Sequence, residues 1–507
     1  MRPTAVFRLA LAGTRTDLAR VALTALSATL SILTALAALT VLAIPTPPAT
    51  AGNEARWSEQ YANALLREPG LRGGTAFALL LLAIPVLALA GQCARLGAPA
   101  RDRRLAALRL AGATPGQVTR VAMAETGVAT LLGALAGLGL YLAGHRLLDR
   151  PDERGRLPLP TDVYPSTVGA AVLVLGLPVV AALITALMLR RVATTPFGVV
   201  RKVRTRGPWP WPGLLIILGL AAFAAVRPVA IWYERRHSQP PLWLLPALLV
   251  GGGLAAMIGV VTGTGWISHT SGRLLHRYAR QPAALLAARR LMADPWAGSR
   301  TFAALLAALI FGAGAAGFRA YFMATVELSG RTGGEMSGSD DFYLGTMNLV
   351  DLTVAVAVVI AAGGLLVALV EGIIARRRQY AALVATGVPR GALRRSILWQ
   401  SLAPAVPSIA IALTVGLLLA RGVLGSPSSG GSSQEVCNAG ATLCGDPATA
   451  ARYTRTVWVP EITVVPDVPV EQLAWLAGGA LVAVLVTVGV GLLFLRSSTA
   501  VEELRTT

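Results

Sequence analysis

The chain repeatedly presents runs of about twenty apolar residues almost free of ionised side chains, and no other feature constrains its fold as tightly. A helix rises about 1.5 Å per residue, so about 20 such residues carry a chain across the roughly 30 Å hydrocarbon core of a bilayer. Ten runs qualify, at 21–44, 75–94, 121–144, 167–189, 213–233, 242–265, 301–323, 350–374, 396–420 and 472–495. With 54% hydrophobic and 14% charged residues and a mean hydropathy of +0.63, soluble, disordered and fibrous classes are excluded. The expected fold is an all-α integral membrane protein of ten transmembrane helices joined by small outside loops.

The net charge of +20 would suggest nucleic acid in a soluble protein. Its distribution gives another reason. Placing the N-terminus in the cytoplasm puts 30 of the 45 Lys and Arg residues on inside segments, the bias that the positive-inside rule requires. The acids run the other way, with Asp17, Asp102, Asp294, Glu502 and Glu503 inside. The chain is therefore expected in a bacterial plasma membrane with both termini cytoplasmic, its basic face drawn to anionic headgroups and needing no nucleic-acid partner. The first apolar run, about 24 residues long, exceeds the 7–15 of a signal-peptide core and is read as a retained span.

Two cytoplasmic segments repeat each other without gaps at a spacing of 275 residues, Ala100–Thr114 and Ala375–Pro389. Arg101 matches Arg376, Arg103 matches Arg378, Ala106-Ala107-Leu108 matches Ala381-Ala382-Leu383, Gly112 matches Gly387 and Arg120 matches Arg395. Arg104 belongs to the same basic run. The tails Thr195–Arg201 and Thr499–Arg505 also correspond, at a spacing of 304 because the second copy has the longer outside loop. The organisation is a four-span repeat over 1–205, two connecting spans over 206–265, and a second four-span repeat over 266–507 with an outside loop at 421–471. Both copies start inside, so the repeat is parallel, about an axis along the membrane normal.

Each repeated segment opens with arginines, continues as a short helix carrying Leu105, Leu108 and Leu110 or Tyr380 and Leu383, and meets a glycine that turns the chain into the next span at Pro115 or Pro389. The product is an elbow tied to the membrane at both ends, suited to receive a push from a cytoplasmic partner. One such segment would read as an amphipathic interfacial loop; duplication in register argues for a surface presented twice.

The basic run, the Ala-Ala-Leu, the Gly112-Ala-Thr114 and the following span with its early acid Glu125 resemble the FtsX-like permease domain, in two copies covering most of the chain. Ten spans as four, two and four resemble the BceB-type permeases within the MacB-like class of ABC transporters. Those carry a large extracellular domain between spans seven and eight, where this chain has about two dozen Gly, Ser and Asp-rich residues from Glu327 to Leu349. The resemblance implies a permease working with two copies of a separate ABC ATPase, with the elbows as coupling helices and ATP and Mg bound by the partner.

No Gly-x-x-x-x-Gly-Lys-Ser/Thr loop occurs and the sole lysine, Lys202, lies in an arginine-rich connector, so this chain is expected to be no enzyme and to bind no nucleotide cofactor. His145, His237, His269 and His276 are scattered without metal-ligand spacing, and no metal is expected. Ionised groups within spans are costly and are functional candidates by default. Glu125 and Glu371 lie near inner ends, where they either neutralise Arg120 and Arg376 or contribute to a proton path. Arg319, near the outer end of the seventh span, either snorkels outward or meets an anionic headgroup. Cys437 and Cys444 fall in the last outside loop, where a disulfide is one option, while Cys93 lies within a span as a small packed residue. Residues 426–451 are Ser, Gly and Ala-rich, and 457–470, rich in Val and Pro, have the composition of a short strand pair. The expected function is ATP-coupled export or extraction of a lipid, amphipathic peptide or drug by mechanical transmission, with antimicrobial resistance as its setting. The alternative is a scaffold relaying ATPase motion to an extracellular cell-wall enzyme or a sensor kinase, and an ion-coupled secondary transporter is disfavoured by the peripheral acids.

Overall fold

The computed structural model describes residues 15–46, 58–69, 72–76, 79–80, 86, 107, 110–193, 208–241, 243–332, 340–375, 377–437 and 454–498. The first half of the chain comprises α1 (Arg15–Ala43), the short α2 (Ala64–Arg67), α3 (Pro115–Leu147) and α4 (Thr167–Ala193). Next come the helices called connecting, α5 (Trp211–Ala224), α6 (Val226–Arg235) and α7 (Leu244–Tyr278). The second half comprises α8 (Pro282–Ala293), α9 (Pro295–Arg331), α10 (Asp340–Ala375), α11 (Arg377–Ala385), α12 (Arg390–Leu424) and α13 (Val470–Ser498). Nine helical segments among the described residues are long and apolar enough to cross a membrane, and the chain is an all-α multi-pass membrane protein. The expected second span, 75–94, lies almost entirely outside the described residues.

Consecutive spans alternate in direction, so one end of the bundle carries the repeated segments (the elbow face) and the other carries the longer connections (the loop face). In the first half α3 packs against α1 on one side and α4 on the other. Thr29 donates its hydroxyl to the carbonyl of Gly133 across the α1–α3 seam (2.9 Å), and a Cβ at Gly133 would run into the backbone of Ala25. The second half uses the same device, because a Cβ at Gly416 of α12 would meet the backbone of Ile310 in α9. Small residues let helix backbones approach where lipid supplies no hydrophobic drive. The α9 helix is the core of this half. Its Leu305, Leu306 and Leu309 are fully buried, together with Leu365 of α10, Ala405 of α12 and Val484 of α13. The connecting helices join this half as well, with α5 and α7 packed on each other and both against α12, and α7 also against α9. Of the described elements of the first half, α2 makes the main contact to the second, on α10. The outer surface of α4, including Val172, Leu175, Val179 and Leu183, is exposed in the isolated chain and is covered only by a bilayer.

Three segments differ from the sequence expectation. The fifth span is two helices, α5 and α6, because Pro228 has no N–H to offer the Ala224 carbonyl. The expected loop from Glu327 to Leu349 is mostly helix: α9 runs 37 residues to Arg331 and α10 begins at Asp340 for 36 residues. Each is about 55 Å long and so projects beyond the hydrocarbon core, and Glu327 supports the last turn of α9 by pairing with Arg331. The strands differ too. The Ser-rich segment β2 (Ser432–Cys437) pairs antiparallel with β3 (Thr454–Val459), and two-residue β1 (Ser428–Ser429) pairs with β4 (Ile462–Thr463). The segment 457–470 therefore supplies one side of each ladder and does not pair with itself.

On the loop face of the first half, two connections form a single lid. Arg72 is buried and donates to the carbonyls of Leu66, Ile44 and Pro45 and to the Ser58 hydroxyl. Tyr61, fully buried, donates to Asp162 (2.7 Å), and Gln60 donates to the other oxygen of the same carboxylate. Backbone bonds from Ala62 to Leu157 and from Leu157 to Gln60 complete the tie. Burial and the adjacent Asp162 push the Tyr61 phenol up to about 12.

Candidate functional site: the paired elbows

The second elbow is described from Arg377 onward. α11 ends at Ala385 and Gly387 takes φ +90°, a left-handed conformation that favours glycine because side chains crowd the backbone there. The Val388 N–H bonds the Leu383 carbonyl and the Gly387 N–H bonds the Val384 carbonyl, both at 3.0 Å. This is the paired closure that ends a helix on glycine, and Val388 and Leu383 both pack against the core of the second half. Pro389, extended, then caps α12.

The first elbow shows the same turn. Gly112 has φ +89°, the Ala111 N–H bonds the Ala107 carbonyl, and Thr114 caps α3 with Gln117 in a reciprocal capping box. Two backbones 275 residues apart thus share one unusual conformation at matched positions, because the same residue types end one helix and start the next.

The expected coupling residues divide by exposure. Ala107 and Gly112 in the first elbow, and Ala382 and Gly387 in the second, face outward, as do their neighbours Ala385 and Leu110, the latter at 90% exposure. Leu383 is half-buried, and Tyr380 and Ala381 beneath it are buried. Tyr380, Leu383 and Val388 belong to the same apolar core as Leu305, Leu309 and Leu393. A force on the outer face of this elbow therefore acts on the central packing of the second half with no compliant layer between. Arg101, Arg103, Arg104, Leu108 and Arg376 lie outside the described residues, and Arg378 is placed only as a position in α11.

Sequence reading missed α8, which lies inside what it took for a plain cytoplasmic segment. Its small face, Ala283, Ala284, Ala287, Ala288 and Leu291, is buried, and it packs on α7 and α12. Gly272 of α7 admits Leu291 and Ala288 of α8 at 3.0 and 3.2 Å from where a Cβ would stand. From this platform Arg290 donates to the Tyr380 hydroxyl (2.8 Å) and lies 4.6 Å over its ring. Leu105 stands at the position matching Tyr380 in the first elbow, so this hydroxyl partner exists in one repeat only.

The remaining candidates do not gather at the elbows. Glu125 is buried in α3, about three turns beyond Pro115. Glu371 is placed as a position near the end of α10. Arg319 is not free to snorkel: its guanidinium is paired with Asp351 of α10 at 2.5 Å. Asp351 is the second residue of the expected eighth span, a signal the sequence contained. Cys437 ends β2 opposite Thr454 in the register, and Cys444 lies outside the described residues. His145 is drawn into a polar chain, since its Nε2 lies 2.8 Å from the Tyr141 hydroxyl, itself 2.6 Å from the Thr40 hydroxyl, while its ring stacks on Tyr164.

The family model described as FtsX-like permease C-terminal matches residues 75–196 and 352–502, just over half of the chain, with one elbow in each segment. No curated protein and no solved structure matches the chain.

Proposed function

The chain belongs to the FtsX-like permease family, whose members generally partner with an ABC ATPase, and we propose that it is the permease subunit of a complex in which two ATPase copies dock on the two elbows. The observation that carries this reading is the recurrence of the same left-handed turn, at Gly112 and Gly387, between an exposed short segment and a long span in each half. Under this reading the elbow face is cytoplasmic, as its share of the arginines argues, and ATP and Mg belong to the partner. Small exposed residues on each elbow admit close approach of an ATPase groove, while Leu110 supplies an apolar anchor. Closure of the ATPases pushes both elbows, and the bundle responds between two packings that the nucleotide state biases. The cargo is a lipid, amphipathic peptide or drug taken from the membrane.

Co-purification from native membranes in mild detergent, with stoichiometry by mass, tests the proposal. An ATPase at two copies per permease is expected; no ATPase, under conditions that preserve other membrane complexes, would refute it. A relay to an extracellular protein is the second reading, and the β2–β3 ribbon favours it, because Val457 and Trp458 stand exposed on β3. Deleting 430–455 separates the two. Loss of a protein partner with export intact would support the relay role for the ribbon.

A further inference from the structure

A cavity of about 400 Å³ opens on the loop face of the second half, between α9, the segment Val465–Pro469 and the start of α13. Its wall is built. Val464 is buried against Ala324 and Leu328 of α9, and Arg421 of α12 donates to the Pro466 carbonyl (3.1 Å), so the segment is pinned down beside α9 from two sides. The cavity stands at the outer boundary of the hydrocarbon, since α13 becomes apolar from Val470 and Arg319 lies within the apolar stretch of α9.

The lining is amphipathic. Met323, Val465 and Pro469 give it an apolar side, and Arg319, Glu327 and Asp467 give it a charged one. The charges do not cancel. Arg319 is neutralised by Asp351, and Glu327 by Arg331, while Asp467 has no partner among the described residues. One carboxylate is thus left uncompensated at the edge of a low-dielectric region, where an opposite charge is attracted more strongly than in bulk water. The volume falls in the range of small-molecule sites but is too small to enclose a whole lipid.

From this placement we propose that the cavity binds the cationic head of an amphiphile, with the ammonium at Asp467 and the start of its apolar chain against Met323, Val465 and Pro469. The rest of the chain lies in the outer leaflet beside α9 and α13. A lipid amine headgroup and a cationic drug or peptide side chain share this chemistry. The proposal deepens the permease reading by naming its cargo class and rests on that reading for the use made of the site; binding itself needs no ATPase.

The test uses the full chain in nanodiscs of digalactosyldiacylglycerol, a lipid whose headgroup carries no charge, and equilibrium dialysis of tritiated dodecyltrimethylammonium, with empty discs subtracted. A saturable component of one probe per chain is expected, weakened about tenfold by Asp467→Asn, retained in Asp467→Glu and abolished by Met323→Arg. Met323 and Asp467 are both exposed, so these variants fold, as an unchanged melting temperature will show. Dodecyl sulfate should show no saturable component. Probe uptake equal to empty discs, equal binding by wild type and both disruptive variants, or equally tight dodecyl sulfate binding would overturn the proposal. Discs containing phosphatidylethanolamine separate the sources: a reduced saturable component identifies the lipid amine as occupant, and an unchanged one identifies a cationic amphiphile from outside the lipid pool. Failure here with an ATPase still co-purifying removes the cargo class alone, whereas probe binding without an ATPase removes the permease reading and keeps the site.

Discussion

The elbow argument is tested most directly by replacing Gly387 with alanine. At φ +90° an L-residue costs about 1–2 kcal/mol. A Cβ at Gly387 would meet nothing within 4 Å, so the whole effect is backbone strain with no steric component. Gly391, four residues later in the first turn of α12, is a matched control. It also has open space around it, but its backbone is helical, so alanine there is neutral or stabilising by up to about 1 kcal/mol. The two variants should therefore differ by roughly 2 kcal/mol in the stability of the turn. Strain at Gly387 opposes the bonds from Gly387 to Val384 and from Val388 to Leu383, so exchange of the Val388 amide should accelerate about tenfold or more in Gly387→Ala. If these elbows couple to an ATPase, stimulation of ATP hydrolysis in the reconstituted complex should fall in Gly387→Ala and in Gly112→Ala, and stay near wild type in Gly391→Ala and Gly116→Ala. Equal exchange and equal coupling in Gly387→Ala and Gly391→Ala would refute the reasoning.

Gly133→Val should drive a side chain into the Ala25 backbone and destabilise the α1–α3 seam by about 3 kcal/mol or more. Gly127→Val, whose Cβ meets only the Ala182 methyl at 3.9 Å, should melt close to wild type in a detergent thermal scan, and equal melting of the two would refute the close-approach reading. Tyr61 has a folded-state pKa of about 12 against an ordinary 10.0, so its contribution to the lid is complete below pH 10 and is lost as pH rises from 10 to 12. Ultraviolet titration should show one late phenol that disappears in Tyr61→Phe, and a tyrosine titration unchanged by that substitution would contradict the burial. Tyr380→Phe removes the hydrogen bond from Arg290 but keeps the ring beneath the guanidinium, costing about 1 kcal/mol, whereas Arg290→Ala removes both contacts and should cost more. Equal melting of these two variants would show that the ring contact contributes nothing.

The spans were legible because a bilayer demands a minimum apolar length, a requirement written locally in each segment. The elbows were legible because duplication exposes a constraint that one copy would hide, and Gly112 and Gly387 take the turn their matched positions suggested. What escaped was information held between distant residues. Nothing near Arg72 in sequence announces that it will hold Ile44, Pro45, Ser58 and Leu66 together, and nothing near Arg319 announces Asp351. α8 was hidden for a different reason: its run of alanines is neither long nor apolar enough to stand out, and it becomes a platform only because Gly272 leaves room for it. The overshoot of α9 was masked by turn-forming residues after Leu328, whose local preference yields to the pairing of Glu327 with Arg331 and to the packing of Leu328 on Val464.

The two elbows are alike as turns, and what lies beneath the second follows from where the connecting helices pack. α5 and α7 add themselves to α9 and α12, and α8 extends that mass beneath the second elbow through Arg290 and Tyr380. The second half is thus a thick core in which the elbow's underside is continuous with Leu305 and Leu309. The first half has no such addition among the described residues. Among the described residues its buried side chains fall into separate groups: Ile32, Leu36, Ala134 and Val174 at the α1, α3 and α4 seams, Val118 and Ala122 at the start of α3, and Ala38, Val41, Ile44, Tyr61, Leu66 and Ala76 beneath the lid. If ATPases push both elbows, the second passes its displacement to the continuous core as a rigid body. The lid held by Arg72, Tyr61 and Asp162 ties the α1 end to the α3–α4 connection and holds the loop face of the first half as one piece.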